Sequence, residues 1–219
     1  MELFDLPART RVNRVVPKNS FDDYTNTKEK KLFTDCVKRI SWANKLSTET
    51  LNLSGKDIQE IQVFAVELKQ KCDISKLLDI IDKCIPYHII FWVWYEHQAY
   101  ISASAKHPYP TNPNISVVDW TFTTDWFQIP DIPYSLHLMK NLDYVFKDLC
   151  IQIIGRPGLE QKSMTSIVEN QKEIADLSKK IDRLKSAISK SKQFNQKVEY
   201  NLQLREAEKK LDKLMELSS

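Results

Sequence analysis

Hydrophobic and polar positions give the first two thirds of the chain a mixture of strand and helix periods. Residues 58–69 are rich in β-branched residues and alternate between two faces, which predicts a strand. Residues 88–95 are apolar on both faces and predict a central strand that is covered on both sides. Residues 117–127 alternate again. Another strand is expected after the polar turn at Glu96, His97 and Gln98, which makes four predicted strands.

Helical periods surround these strands. Apolar residues recur at three- and four-residue steps over 28–45, 74–84 and 135–154, which predicts three amphipathic helices. Residues 106–114 carry three prolines and predict a loop. The pattern as a whole predicts an α+β fold, a small mixed β-sheet packed with helices.

The last part of the chain has one composition and one period. From Gln161 onwards there is no proline or glycine, and an apolar seam alternates steps of three and four residues. Its members are Ile174, Leu177, Ile181, Leu184 and Ile188. The seam then turns polar and resumes in another phase at Tyr200. Either one long coiled-coil helix with a stutter or a helical hairpin that turns near Ser191 explains this break.

These patterns divide the chain into three parts. Residues 1–27 form an expected extended basic arm, residues 28–155 the α+β domain, and residues 161–219 the C-terminal helical element. The formal net charge of +3 is too small to indicate nucleic-acid binding by itself. The arm nevertheless contains four candidate phosphate contacts, Arg9, Arg11, Arg14 and Lys18.

Composition removes several function classes. Three glycines cannot build a glycine-rich phosphate-binding loop, so nucleotide hydrolysis by that motif is not expected. The four cysteines are widely spaced beside apolar residues and predict buried, reduced thiols rather than a zinc site. The N-terminal residues lack the apolar core of a secretory signal, and no apolar run is long enough to span a membrane. A cytoplasmic location is expected.

One strand carries candidate chemistry. PD-(D/E)xK nucleases place an acid-x-Lys on one strand, with a further carboxylate upstream, to hold a divalent metal and orient water. Glu67 and Lys69 match that spacing, and Asp57 or Glu60 are candidates for the second carboxylate. The competing interpretation is a charge pair on the solvent-exposed face of a structural strand. Mg²⁺ or Mn²⁺ is expected only under the nuclease hypothesis, and no other cofactor or metal site is expected.

Two further sets of residues are candidates for functional sites. His107 with Asp119 or Asp125 is a conceivable His/Asp site, although the pattern favours polar residues of turns and strand ends. Trp120 and Trp126 each follow an aspartate and suggest a stacking platform for bases, but their place on an apolar face favours burial.

Several segments in order along the chain resemble one known family. They are VNRVVPKNSF, KKLFTDCVKRISWANKLSTETLNL, EIQVFAVELK, IIDKCIPYHIIF, ISASAKHP, TDWF and KQFNQKVEYNLQLREAEKKL. They make the chain similar to the bacterial and archaeal family described only as domain of unknown function 4391. The resemblance implies genes set beside DNA methyltransferases and superfamily 2 helicases in restriction-like and phage-defence clusters. It implies no catalytic residues.

Together these observations predict a non-catalytic accessory subunit of a restriction-modification or phage-defence complex. Its helical tail is expected to self-associate or to dock on a helicase or DNA methyltransferase through the seam. The first alternative is the metal-dependent nuclease at Glu67 and Lys69, and the second is a nucleic-acid-binding module that uses the basic arm.

Overall fold

A computed structural model describes residues 4–216 of the chain. Two compact units meet at the peptide bond between Ile154 and Gly155. The first unit is built on one mixed β-sheet with helices, and the second consists mainly of two helices. The predicted α+β fold class with a C-terminal helical element is confirmed.

Seven strands form the sheet of the first unit. They are β1 (Arg11–Val16), β2 (Val37–Ser47), β3 (Glu60–Leu68), β4 (His88–Tyr95), β5 (Gln98–Tyr109), β6 (Asn112–Thr123) and β7 (Phe127–Gln128). Strands β1 to β6 lie in chain order, and β7 pairs with β5 beside β6. In the described residues β3 and β4 pair in parallel, and the other neighbouring strands are antiparallel.

Four helices accompany the sheet and two form the second unit. They are α1 (Thr27–Cys36), α2 (Thr48–Leu51), α3 (Ser75–Cys84), α4 (Leu142–Ile154), α5 (Met164–Lys190) and α6 (Phe194–Glu216). Asn26 caps α1, and the Asn26 N–H donates to the Glu29 carboxylate, so a capping box fixes the start of this helix. Helix α3 makes the crossover between the parallel strands β3 and β4.

The helix predicted over 28–45 is wrong beyond residue 36. Residues 37–47 form β2, which pairs along its length with β3 from Val37 to Ser47. Its apolar residues fit a helical spacing as well as a strand spacing. The hydrogen bonds offered by β3 decide between the two, and no local pattern contains that information.

Two other predicted boundaries change. The loop expected over 106–114 is the tip of a long hairpin, in which Lys106, His107 and Pro108 face Val118, Val117 and Ser116. Proline is tolerated in β6 because this strand has no partner beyond β5 in the described sheet. Helix α4 begins at Leu142, so residues 135–141 are not helical.

The first 27 residues, expected as an extended basic arm, are extended at Arg11–Val16. There they add an edge strand to β2. Phe21 follows in a short 3-10 turn and is buried against Phe33 of α1, with their ring centroids 5.9 Å apart. This segment is therefore held by the pairing of its strand with β2 and by the packing of Phe21 on α1.

One face of the sheet meets α1 and α3 in the main hydrophobic core. The strands contribute Phe64, Val66, Phe91 and Val93, and α3 contributes Leu77, Leu78 and Ile81. On the other face His88 contacts Phe146 of α4, with ring centroids 4.8 Å apart. Burial, with a smaller contribution from the nearby charge of Lys106, lowers the pKa of His88 to about 4, so this imidazole is neutral at pH 7.

A buried ion pair joins α3 to β5. The Lys106 ammonium donates to the carboxylate of Asp82 at 2.7 Å, to the Asp82 carbonyl at 2.7 Å and to the Ile85 carbonyl at 2.8 Å. Both side chains are 1% exposed. All three ammonium protons therefore have an acceptor, which is the condition for keeping a charged lysine inside a protein.

The second unit is a helical hairpin. Ser191–Gln193 separates α5 from α6, and the two helices pack against each other. Leu177, Ile181 and Ala207 are buried in their seam, with Leu204 and Leu211 beside them. Of the two arrangements that the sequence left open, the structure forms the hairpin.

The expectation of four reduced thiols is wrong for one pair. Cys36 at the end of α1 and Cys72 before α3 form a disulfide with their Cα atoms 6.3 Å apart, whereas Cys84 and Cys150 are free. The two partners are 36 residues apart in sequence. The Lys69 N–H donates to the Cys36 carbonyl at 2.8 Å, so the end of α1 lies close to the segment that carries Cys72, a proximity that cysteine spacing does not reveal. In residues 4–216 no helix has the length and apolar character needed to cross a membrane.

Candidate functional site

A cavity of about 770 Å³ opens between the start of α3 and one face of β5 and β6. Its lining combines hydroxyl groups, two aromatic rings and charged side chains. The residues are Lys71, Cys72, Asp73, Ser75, Lys76, Leu78, Asp79, Tyr100, Ser102, Ser104, Thr121, Thr123, Thr124 and Trp126. All of them belong to the first unit.

The floor of the cavity is a double row of hydroxyl groups. Ser104 and Thr121 lie opposite each other with their hydroxyl oxygens 3.1 Å apart, and Thr123 donates to Ser102 at 3.3 Å. Strand alternation places these side chains on one face of the hairpin, because β5 and β6 carry them at every second residue. Each hydroxyl both donates and accepts, so the floor suits a ligand with mixed polar edges.

One wall is aromatic. The rings of Tyr100 and Trp126 meet at 72° with their centroids 4.9 Å apart. The Lys71 ammonium lies 4.8 Å from the centre of the Trp126 ring, a cation–π distance. Burial raises the pKa of Tyr100 well above its usual range, so its hydroxyl stays protonated. Trp126 was expected to be buried, but it is half-buried and lines the cavity.

The rim carries charges of both signs. The Asp73 carboxylate accepts from the Ser75 N–H at 2.9 Å, and bonds from the Ser75 backbone and side chain lower the pKa of Asp73. A negative charge therefore already occupies the N-terminus of α3. Lys71 and Lys76 stand beside it, while Asp79 is engaged by Lys83 at 2.6 Å.

Glu67 and Lys69, the acid-x-Lys of the nuclease hypothesis, have separate protein partners. The carboxylate of Glu67 forms an ion pair with Lys38 at 2.7 Å. The Lys69 ammonium donates to the Thr34 carbonyl of α1 at 2.7 Å. The Lys38 ammonium therefore occupies the position at which the Glu67 carboxylate would bind a metal. The Lys69 side chain extends to the C-terminal part of α1.

The two candidate second carboxylates lie far from Glu67. Glu60 begins β3 seven residues earlier, about 23 Å away along an extended strand. It pairs with Lys45 at 3.2 Å and accepts from Gln62 at 2.6 Å. Asp57 precedes β3, and its N–H donates to Asp143. The structure does not bring these groups together with Glu67.

The four basic residues of the arm have different surroundings. Arg9 is exposed in a 3-10 turn, and Arg11 and Arg14 are exposed on the edge strand β1. Lys18 donates to the Val37 carbonyl at 2.8 Å, and partial burial, followed by repulsion from Lys69, lowers its pKa. Lys18 thus has a structural contact, and the three arginines are exposed.

His107 and Asp119 do meet across β5 and β6, with Nδ1 and Oδ2 2.8 Å apart. Asp125 is not part of this pair. In the described part of the chain no three or more histidine, cysteine, aspartate or glutamate side chains come together as a metal site.

A second histidine takes part in a hydrogen-bonded chain before α4. Ser135 Oγ lies 2.9 Å from His137 Nε2, and His137 Nδ1 lies 2.8 Å from Asp148 Oδ2. The order of groups is that of a nucleophile, a base and an orienting acid. However, the Ser135 N–H donates to Gln152 and its carbonyl accepts from Gln152, both at 3.0 Å. The Ser135 amide is thus unavailable to an oxyanion, and the chain serves to fasten this segment to α4.

The second unit has an exposed apolar stripe on α6. Phe194, Val198 and Leu202 are 79%, 44% and 58% exposed and follow each other at four-residue steps. At 100° per residue the stripe lies about 160° around the helix from the side that packs on α5. Large apolar side chains aligned in this way are typical of an interaction surface.

Sequence reasoning missed the cavity and the stripe for different reasons. The cavity depends on β6 returning beside β5, a long-range pairing hidden by the predicted loop. The stripe has a regular four-residue spacing in the sequence, and this spacing distinguishes it from the buried series that includes Leu204 and Ala207.

Comparison with known proteins adds one finding. A family model described as domain of unknown function DUF4391 matches residues 4–211. No curated protein and no solved structure matches the chain.

Proposed function

The chain belongs to the DUF4391 family, and on this premise we propose that it is an accessory subunit whose C-terminal hairpin docks on a partner protein. The proposed partner is the helicase or DNA methyltransferase of a restriction-modification or phage-defence complex in the cytoplasm. The observation that carries the proposal is the exposed stripe of Phe194, Val198 and Leu202 on α6.

The stripe replaces the seam as the proposed contact. Leu177, Ile181 and Leu184 of the predicted seam are buried, and Ile174 and Ile188 are half-buried. Because the seam is closed by α6 of the same chain, a partner cannot use it without opening the hairpin. The stripe needs no such rearrangement.

The residues next to the stripe indicate which kind of partner surface would bind it. Helical geometry places Arg205 and Lys209 on the same side of α6, immediately beyond Leu202. The three apolar residues span about 12 Å along the axis. An apolar groove with acidic residues at one end would complement this face, as in other helix-in-groove contacts.

The experiment is co-expression of the tagged full-length chain with its neighbouring helicase and methyltransferase, followed by capture at moderate salt. Replacing Phe194, Val198 and Leu202 together with serine should abolish recovery of the partner. The control replaces Glu206 and Lys213 with serine, which removes two exposed side chains of α6 and leaves the net charge unchanged. Circular dichroism of both variants verifies that the hairpin is intact.

Three outcomes are distinguishable. Partner recovery lost in the stripe variant and kept in the control supports the proposal. Recovery retained in both variants contradicts it. Formation of a dimer that the stripe substitutions dissociate would assign the stripe to self-association and overturn docking on a different protein.

A metal-dependent nuclease stays the second candidate. β2 supplies the antiparallel hairpin partner that the acid-x-Lys pattern requires before β3. However, its sequence VKRISWANKLS contains no aspartate or glutamate to act as the second carboxylate. Under this proposal a metal displaces Lys38 from Glu67, and the second carboxylate comes from a residue other than Asp57 or Glu60.

A further inference from the structure

We propose that the cavity between α3 and the β5–β6 hairpin binds a nucleotide unit, with its base on Trp126, its sugar beside Asp73 and its phosphate at Lys71 and Lys76. This is a ligand site separate from the docking surface on α6. It uses residues of the first unit alone.

The size of the cavity fits this class of ligand. Small-molecule sites in proteins measure about 300–1,000 Å³ and combine apolar walls with a few polar groups. At about 770 Å³ the cavity has room for a base, a sugar and one phosphate. It also lies at the carboxyl end of β3, where the chain crosses by α3 to the parallel strand β4.

The aromatic wall suits a base. Tyr100 supports the Trp126 ring at 72°, which fixes the orientation of the indole. The ammonium of Lys71, an exposed residue, lies over the ring of Trp126. Because a lysine side chain is long and rotates easily, it can leave the ring to a base and move to the phosphate.

The floor and rim suit the remaining groups. The hydroxyls of Ser102, Ser104, Thr121 and Thr123 can meet both donors and acceptors, as the edges of a base require. Asp73 accepts hydrogen bonds only, and ribose hydroxyls are donors. Two lysines offset by one ionised aspartate at the helix start favour a single phosphate over a triphosphate.

The experiment is titration of the full-length protein with the four nucleoside 5′-monophosphates and their deoxy forms, followed by tryptophan fluorescence and calorimetry. Adenosine, inorganic phosphate and a single-stranded pentanucleotide are the comparison ligands. We expect saturable binding of at least one monophosphate with a Kd below about 1 mM. Trp126→Ala should weaken it by about tenfold, since base stacking on an aromatic ring has that magnitude.

Two exposed positions keep the test valid if Trp126→Ala unfolds. Lys71→Ala should weaken the monophosphate about fivefold without weakening adenosine, because the phosphate contact is lost while the indole face is freed for the base. Thr123→Val should weaken both ligands. Trp120→Phe is the matched control, because Trp120 lies outside the cavity lining, and it should bind as the wild type does.

Binding of the pentanucleotide alone, with the same dependence on Trp126, would support the proposal and identify the ligand as an unpaired base in a strand. Equal binding of inorganic phosphate and nucleotide would overturn it. Absence of binding by every probe, or binding unchanged in all three cavity variants, would also overturn it.

Discussion

Replacing Lys106 with methionine tests the buried ion pair that holds α3 against β5. The substitution keeps much of the side-chain length and removes the charge. It leaves the Asp82 carboxylate and the carbonyls of Asp82 and Ile85 without the donor that now lies 2.7–2.8 Å from each. Both partners are 1% exposed, so water cannot take its place without opening the packing.

The expected cost follows from these contacts. Removing one partner of a buried pair typically lowers the free energy of unfolding by about 3–5 kcal/mol, because the remaining charge is buried without compensation. The double variant Lys106→Met with Asp82→Leu removes that charge as well and should recover about 2 kcal/mol. Lys83→Met breaks the exposed pair with Asp79 and should cost about 0.5 kcal/mol or less.

Urea unfolding monitored by tryptophan fluorescence measures these differences in the first unit alone. All five tryptophans of the chain lie between residues 42 and 126. A loss below about 1 kcal/mol for Lys106→Met would refute the argument. So would strict additivity of Lys106→Met and Asp82→Leu, since groups in contact must show coupling.

Three further predictions address other parts of the molecule. The pKa of His88 is lowered to about 4 in the folded state, so between pH 6.5 and pH 4 the unfolded chain binds a proton that the folded chain does not. The free energy of unfolding should therefore fall by about 3 kcal/mol as the pH decreases across that window. The urea midpoint of His88→Gln should depend less on pH than that of the wild type, and an unchanged dependence would contradict the assignment. Leu177→Asp places a charge in the hairpin seam and should separate α5 from α6. Amide hydrogen exchange should become faster over residues 164–216 and stay unchanged in the first unit. Unchanged exchange over residues 164–216 would contradict the closed seam. If the nuclease is real, Mn²⁺-dependent cleavage of DNA should appear with the wild type and vanish in Glu67→Gln, and cleavage that survives this substitution excludes Glu67 as its metal ligand.

The sequence reveals those parts of the fold that depend on local periodicity. Strands β3 and β4 and helix α3 were predicted with nearly correct boundaries, because alternating or three-and-four-residue spacing is strong there. The error over residues 37–47 has a physical cause. Ile40 fits an apolar helical face, yet it is opposite Val66 in the sheet, and only the presence of β3 makes the strand the better state.

The candidate site was less visible because it is made by long-range pairing. Ser102 and Thr123 have no sequence signature, and they become neighbours only when β6 turns back along β5. The sequence places Trp126 on an apolar face and predicts its burial. Its half-buried place beside Lys71 depends on the segment before α3, more than fifty residues away in sequence.

The cysteines show the same limit. Spacing alone gave no reason to pair Cys36 with Cys72, because they belong to α1 and to the segment after β3. The fold brings these segments together through the bond from Lys69 to the Cys36 carbonyl.

The most direct test of the proposed function is partner capture with the stripe variant of α6. The proposed function predicts that the wild type and the Glu206→Ser/Lys213→Ser control recover the proposed helicase or methyltransferase partner stoichiometrically, and that the Phe194→Ser/Val198→Ser/Leu202→Ser variant recovers neither. Recovery of the same partner by all three proteins, or by none of them, would contradict docking through the hairpin.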